Sequence, residues 1–554
     1  MKFEEMVYTR PDIKAFEKEM ESLKSRLDNV KSGEEQFEVH KDYYKLTDKY
    51  ESMAVIAEIR HDGDMTDDYY AKENDFFNES NPIVANLKAS YFDKLLASPY
   101  RNYLEDKIGK VAFKNMELDK LSVDDKILPL MQEENKLQDD YNKILATAKI
   151  DWNGDVLNLS LMNPYLTSSD LETRTLAWKK YSAFFEQNAE SLDDIYDKLV
   201  KNRTKQGELM GYDNYLKLGY ARMRRNCYTR DDIKTFREQV KKDFVPFAEM
   251  LHEQRRQRLG LSKLHFEDEE VFFTGGNPAP TGTPEQILDA GKKMYNELSK
   301  ETGEFMNFMC DNNLFDVFGR KTKKTGGYMT YIPDYKSPFI FANFNGSSSD
   351  VDVITHECGH AFQGYVVRDE LIKEYADITM ETAETHSMSM EFFTEPWMKM
   401  FFGDRADDYI KMHFESSCMF IPYGTMVDEF QDIAYENPGL SPKDRNKVWH
   451  DLERQYKPHL DYSGNAYYEG GAFWQNKHHI YDCPLYYIDY CIAGTNALQY
   501  KVMMDEDFDK AWSSYLKLCK LSASDFFDGL MDKVGLINPF EDGCLKYVVK
   551  NLSK

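Results

Sequence analysis

A chain of 554 residues with 42% hydrophobic and 30% charged residues is long enough for more than one folding unit. It has the balance of an ordered, helix-rich protein, which excludes disorder. Its formal net charge of -26 would repel phosphate backbones and anionic lipid, so neither nucleic acid nor a membrane surface is an expected partner.

The N-terminal stretch lacks the apolar core of a secretory signal, and no run elsewhere is long and apolar enough to span a bilayer. A cytoplasmic location is therefore expected. From Pro11 to about Val200 the sequence reads as successive amphipathic helices. In the first, Ile13, Phe16, Met20, Leu23 and Leu27 fall at three- and four-residue steps and predict a helix ending near Ser32-Gly33. This gives an expected division into an N-terminal helical portion, 1–200, and a portion carrying the chemistry, 201–554. The Gly/Pro cluster from Gly275 to Gly282 breaks the helical pattern. Thr283, Pro284 and Gln286 then read as an N-cap, a first-turn proline and a capping-box glutamine, so a new helix starts there. Short aromatic and β-branched runs between Gly326 and Phe344 predict two strands. The eight cysteines include no C-x-x-C pair, which points away from both a disulfide framework and a thiolate metal site.

Residues 356–360 read His-Glu-Cys-Gly-His inside an apolar-periodic stretch containing Val353, Ile354, Ala361 and Phe362. On a helix, His356 and His360 project from one face and can bind one Zn²⁺, while Glu357 lies beside the metal's open position. The three-residue constraint alone arises by chance on the order of once in fifty chains of this length. Context must therefore decide, and the preceding strand and apolar flank favour a site over a surface helix with two incidental histidines. A catalytic zinc needs a third protein ligand. A histidine six residues after His360 is absent, because position 366 is Val366. The remaining donors are carboxylates on a second predicted helix, Glu381 to Phe393, where Glu384, Ser387 and Glu391 share a face; spacing leaves Glu381 and Glu384 both open. Asp352, one turn before His356, is expected to accept its outer imidazole N–H.

The string Asp350-Val351-Asp352 before His356-Glu357-Cys358-Gly359-His360, the segment Glu384 to Glu391, and the C-terminal run from His479 through Pro484 to Tyr490 together resemble the thimet oligopeptidase family, nearest its oligoendopeptidase F and Pz-peptidase branch. Gly211-Tyr212-Asp213-Asn214-Tyr215 and Phe341-Ala342-Asn343-Phe344 add to the resemblance, which runs from about residue 200 to the C-terminus. It implies Glu384 as third ligand to one Zn²⁺ per chain. It also implies that His479, Tyr487 and Tyr490 bind substrate and stabilise the transition state, with His478 and Tyr486 as neighbouring alternatives. The implied fold is mainly α and elongated, with a deep channel over the metal and a small β-sheet beside the zinc helix. Short peptides are the implied substrates, and the sheet could take one as an added strand. The expected activity is that of a zinc-dependent oligoendopeptidase with Glu357 as general base. A carboxypeptidase of the same family and a catalytically weak peptide-binding protein are the alternatives.

Overall fold

The computed structural model describes residues 1–320, 322–324 and 326–553. Asp12 accepts a hydrogen bond from the Ala15 amide and starts the helix Ile13–Asn29, whose buried face is Phe16, Met20, Leu23 and Leu27. Ser32 does not close that helix. Its hydroxyl accepts from Glu35 N–H and caps the next one, Gly33–Gly63. Thr283 and Gln286 form the anticipated capping box at the start of Pro284–Leu298, with Pro284 in the first turn. A side-chain cap of this kind stabilises a helix by about 1 kcal/mol. The described residues are mainly α-helical, with two small sheets.

One sheet is a hairpin, Ile150–Trp152 with Asp155–Leu157, which the helical reading of the first 200 residues passed over. Its turn is Asn153-Gly154, both at positive φ (51° and 95°), the conformation that a two-residue hairpin loop requires. The other sheet has three strands. Ser337–Phe344 lies at the centre, antiparallel to Tyr328–Ile332 and parallel to Phe315–Phe318. The first two are the predicted pair, and the third is additional.

Two compact units make up the chain, and both are discontinuous in sequence. The first comprises Met1–Lys120, Ala279–Ala406 and Asn496–Leu536; the second comprises Leu121–Pro278, Asp407–Thr495 and Ile537–Lys554. This is a different division from one at residue 200, which itself lies inside the helix Leu171–Leu209.

In the first unit the central strand is buried along almost its whole length and leads directly into the helix Ser349–Val366. The junction is closed by Asp350, whose carboxylate accepts from the Asn345 and Gly346 amides at 2.9 and 2.7 Å. Gly346 turns the chain there at φ 85°. The helix is therefore fixed to the strand end by a charge-assisted pair of bonds. Its far side rests on aromatic rings, with Phe362 near Phe305 and Trp512. A second helix, Met380–Phe393, lies beside it. It packs Phe393 against Tyr500, Phe508, Trp512 and Tyr515.

In the second unit, Trp474, Tyr481, Tyr196 and Phe430 pack as one buried aromatic group. Buried Arg203 braces this group by donating to the Tyr481 carbonyl at 2.5 Å, and also bonds Glu134 at 2.6 Å and the Tyr435 hydroxyl at 2.8 Å. All eight cysteines are free thiols. Among the described residues no helix is long and apolar enough to cross a membrane.

Candidate metal centre

His356 and His360 lie one turn apart on Ser349–Val366, and Glu384 faces them from Met380–Phe393. Glu384 Oε2 is 3.4 Å from His356 Nε2 and 3.5 Å from His360 Nε2. Four donors at zinc bond lengths of about 2.0–2.1 Å sit at the corners of a tetrahedron whose edges are about 3.3–3.4 Å. Glu384 thus stands at nearly the separation from each histidine that one zinc ion requires, and the three donor atoms all lie within 4.8 Å of one another. Ser387 steadies the carboxylate by donating to Glu384 Oε2 at 3.1 Å.

The outer nitrogen of His356, Nδ1, is 2.6 Å from Glu391 Oε1. When Nδ1–H is donated to Glu391, Nε2 turns its lone pair toward Glu384. Two acceptors 3.4 Å apart repel unless a proton or a cation lies between them. The electrostatics agree. Burial works against a charge on His356, yet its bonds to Glu384 and Glu391 prevail and hold its pKa well above the ordinary imidazole value. Burial likewise opposes ionisation of Glu384, and the two histidines overcome it, holding the carboxyl well below the usual range. The donor set therefore fits a divalent cation.

The partner of Nδ1 is thus Glu391, where the sequence suggested Asp352. The available signal was the seven-residue spacing from Glu384 to Glu391, two turns along one face. Glu381, the other candidate third ligand, instead accepts from the Thr379 hydroxyl at the start of its helix.

Gly359, inside the metal motif, had no assigned role, and the packing supplies one. A Cβ built there would lie 2.6 Å from Ser387 Cα, 2.9 Å from the His386 carbonyl oxygen and 3.1 Å from Met390 Cβ. Only a residue without a side chain lets the two helices approach closely enough to bring Glu384 to the histidines. Tyr515 fixes the second helix from behind, donating to the His386 carbonyl at 2.9 Å. Tyr295 does the same for the first, donating to the Ile354 carbonyl at 2.9 Å.

His479, Tyr486, Tyr487 and Tyr490 belong to the second unit, where they form a cluster of their own. The His479 ring is 4.9 Å from Tyr487, 6.2 Å from Tyr490 and 6.3 Å from Tyr486. His478 is exposed, and its ring lies 3.9 Å from that of His479 at a tilt of 41°. Tyr487 is buried, and burial pushes its hydroxyl pKa well above the ordinary value. Tyr486 and Tyr490, one turn apart, are half-buried.

A second group of metal-ligating type, Glu249, His252 and His459, occurs in the second unit. Its geometry is that of an ion-pair network. The two imidazoles stack at 3.6 Å and 26°, so their in-plane lone pairs run side by side and do not converge. Both nitrogens of His459 are taken, by Glu249 at 2.5 Å and Glu269 at 2.9 Å.

Two histidines one turn apart, a glutamate between them and a carboxylate from a second helix define a metallopeptidase donor set. Comparison with known proteins agrees. Residues 3–123 match the Peptidase M3 N-terminal domain, and residues 292–546 match Peptidase family M3. A structure of Pz peptidase A with an inhibitor is 43% identical, covers 100% of this chain and 98% of its own, and superposes with a TM-score of 0.95. A structure assigned as oligoendopeptidase F is 42% identical, with the same coverages and TM-score. An oligoendopeptidase F assignment from Bacillus anthracis str. Ames is 40% identical over 100% of this chain and 97% of its own, with a TM-score of 0.90. Among curated proteins nothing matches. The chain belongs to peptidase family M3, in the branch of oligoendopeptidase F and Pz peptidase.

Proposed function

We propose that this peptidase is a zinc-dependent oligoendopeptidase that hydrolyses internal bonds of short peptides, holding one Zn²⁺ through His356, His360 and Glu384. The observation that carries the reading is the placing of Glu384 at a tetrahedral-edge separation from each of the two histidines, with Glu357 on the same helix as they are. A bound zinc would supply Lewis acidity, lowering the pKa of water toward neutrality and polarising the scissile carbonyl.

Glu357 accepts the proton of the attacking water and returns it to the leaving nitrogen. Glu391 keeps His356 in the tautomer whose Nε2 faces the site. From the resemblance, His479, Tyr487 and Tyr490 hold the substrate and donate to the developing oxyanion. The raised pKa of Tyr487 supports this, since it keeps the hydroxyl protonated and so a donor. One such donor lowers a barrier by roughly 3–4 kcal/mol. The names of the similar structures, oligoendopeptidase F above all, favour internal cleavage over carboxypeptidase action. The catalytic portion is taken as 201–554. Eight free thiols support a reducing, cytoplasmic location.

Glu357→Gln tests the central step, because it removes the base and keeps the donors. Cleavage of a quenched internal peptide should fall by at least about 10²-fold, while stoichiometric zinc is retained on metal analysis. Undiminished turnover would overturn the role of Glu357. Wild-type cleavage that survives exhaustive chelation would overturn the metal mechanism.

A further inference from the structure

Lys477 stands out in the second unit as a half-buried cation that makes no hydrogen bond or ion pair through its side chain among the described residues. Its backbone is pinned at a junction. Its amide donates to the Trp474 carbonyl at 3.0 Å, closing the turn Phe473–Asn476, and its carbonyl accepts from Ile480 at 3.1 Å as the helix His478–Asp482 begins. The ammonium then sits over two tyrosine rings, 5.4 Å from the centroid of Tyr423 and 5.1 Å from that of Tyr487. These rings stand edge to face at 90° and hold the charge by cation–π attraction, which offsets only part of the loss of water.

The contrast with Lys457 is instructive. It lies 5.4 Å from the centroid of the same Tyr423 ring and is paired with Glu269. Glu270 attracts Lys477 electrostatically without forming an ion pair with it. Burial pushes Lys477 down to about 8, so it stays largely charged at neutral pH. A partly desolvated cation without an ion-pair partner carries a cost that the cation–π contacts offset only in part. It is also the feature that a carboxylate ligand would relieve.

We propose that Lys477 is a specificity residue that binds a carboxylate of the peptide substrate. The proposal rests on the peptidase reading above, in which its neighbours Tyr487 and His479 contact the peptide. The carboxylate could be the chain terminus or an acidic side chain, and the commitment is to the shared chemistry. A peptide carboxylate entering beside Tyr487 would form one charge-assisted bond to the ammonium.

The test uses the full-length protein and one peptide sequence in three forms: free acid, C-terminal amide, and amide carrying one added glutamate. Calorimetric Kd and steady-state KM are measured for the wild type, Lys477→Met and Lys477→Arg. The wild type should favour the free acid, or the glutamate form, over the plain amide by about tenfold or more in Kd and KM. Lys477→Met should bring that ratio to about one, and Lys477→Arg should keep most of it. Preference for the free acid alone identifies the terminus, and preference for both anionic forms identifies any nearby carboxylate. Thermal unfolding of Lys477→Met should show little loss of stability, since the fold loses cation–π contacts but no hydrogen bond or ion pair; a large fall in melting temperature would mark a structural lysine and overturn the proposal. A wild type that favours neither anionic form over the plain amide, or a preference that is unchanged in Lys477→Met, overturns the proposal. Calorimetry does not require turnover, so binding without cleavage refutes the peptidase reading separately.

Discussion

Gly359→Ala would test whether the metal centre depends on the close approach of two helices. The added methyl would stand 2.6 Å from Ser387 Cα and 2.9 Å from the His386 carbonyl oxygen, both backbone atoms that no change of rotamer can move. Non-bonded carbons rest about 3.5–4.0 Å apart, so the helices must separate by about 1 Å at their crossing. Overpacking of this kind costs about 1–3 kcal/mol of stability. The larger effect falls on the site. Glu384 is three residues from Ser387 on the displaced helix, so its 3.4 and 3.5 Å separations from the histidines must change. Zinc affinity should drop by about 10–100-fold, and kcat/KM by about 10²-fold, as expected when a reacting group is misplaced by 1 Å. Competition against a chromophoric chelator measures the first, and a quenched peptide the second. Gly364→Ala is the control in the same helix. Its Cβ would meet Tyr331 at an ordinary 3.4 Å, and both quantities should stay within about twofold of wild type. Zinc affinity and turnover in Gly359→Ala equal to those of Gly364→Ala would refute the reasoning.

Glu391→Ala removes the acceptor at His356 Nδ1 and should weaken zinc binding by about 10–100-fold with little change in circular dichroism; an unchanged affinity would return that role to Asp352. In the second unit, Arg255 Nη2 lies 3.0 Å from His252 Nδ1, an arrangement that suits a neutral imidazole accepting from the guanidinium. Burial, followed by the charges of His459, Arg255 and Lys457, pushes His252 down to about 2, against the attraction of Glu269. The unfolded chain takes up this proton below about 6.5 and the folded chain does not. Stability from this group therefore falls with pH, by about 2 kcal/mol between pH 7 and pH 5. His252→Asn offers an acceptor that does not titrate and should lose that much less over the same interval in urea unfolding. Equal pH slopes in the two proteins would show that His252 titrates normally when folded.

What the sequence revealed of the site depended on how local each relationship was. The pairing of His356 with His360 follows from helical geometry alone. Glu384 could be read only as one of two carboxylates on a second helix until the family resemblance was added. Choosing Glu391 over Asp352 as the partner of His356 needed the crossing of two helices, which is set by a glycine whose neighbours lie some thirty residues further on. The capping box at Thr283 was legible because all its bonds fall within one turn. The strand Phe315–Phe318 was not, being a four-residue run whose strand partner is parallel and more than twenty residues away. The hairpin at Asn153-Gly154 carried its turn signal openly, but the helical periodicity on both sides masked it.

The first unit is assembled from three stretches of chain, and the last of them bears directly on the donor helices. Asn496 donates to Thr385 at 3.2 Å, and Tyr515 to the carbonyl of His386 at 2.9 Å. These braces are synthesised after both donor helices, at about 5–20 residues per second. A nascent or truncated chain therefore carries the histidines without the support that holds their carboxylate in place. Activity is thereby tied to completion of the third stretch of the first unit.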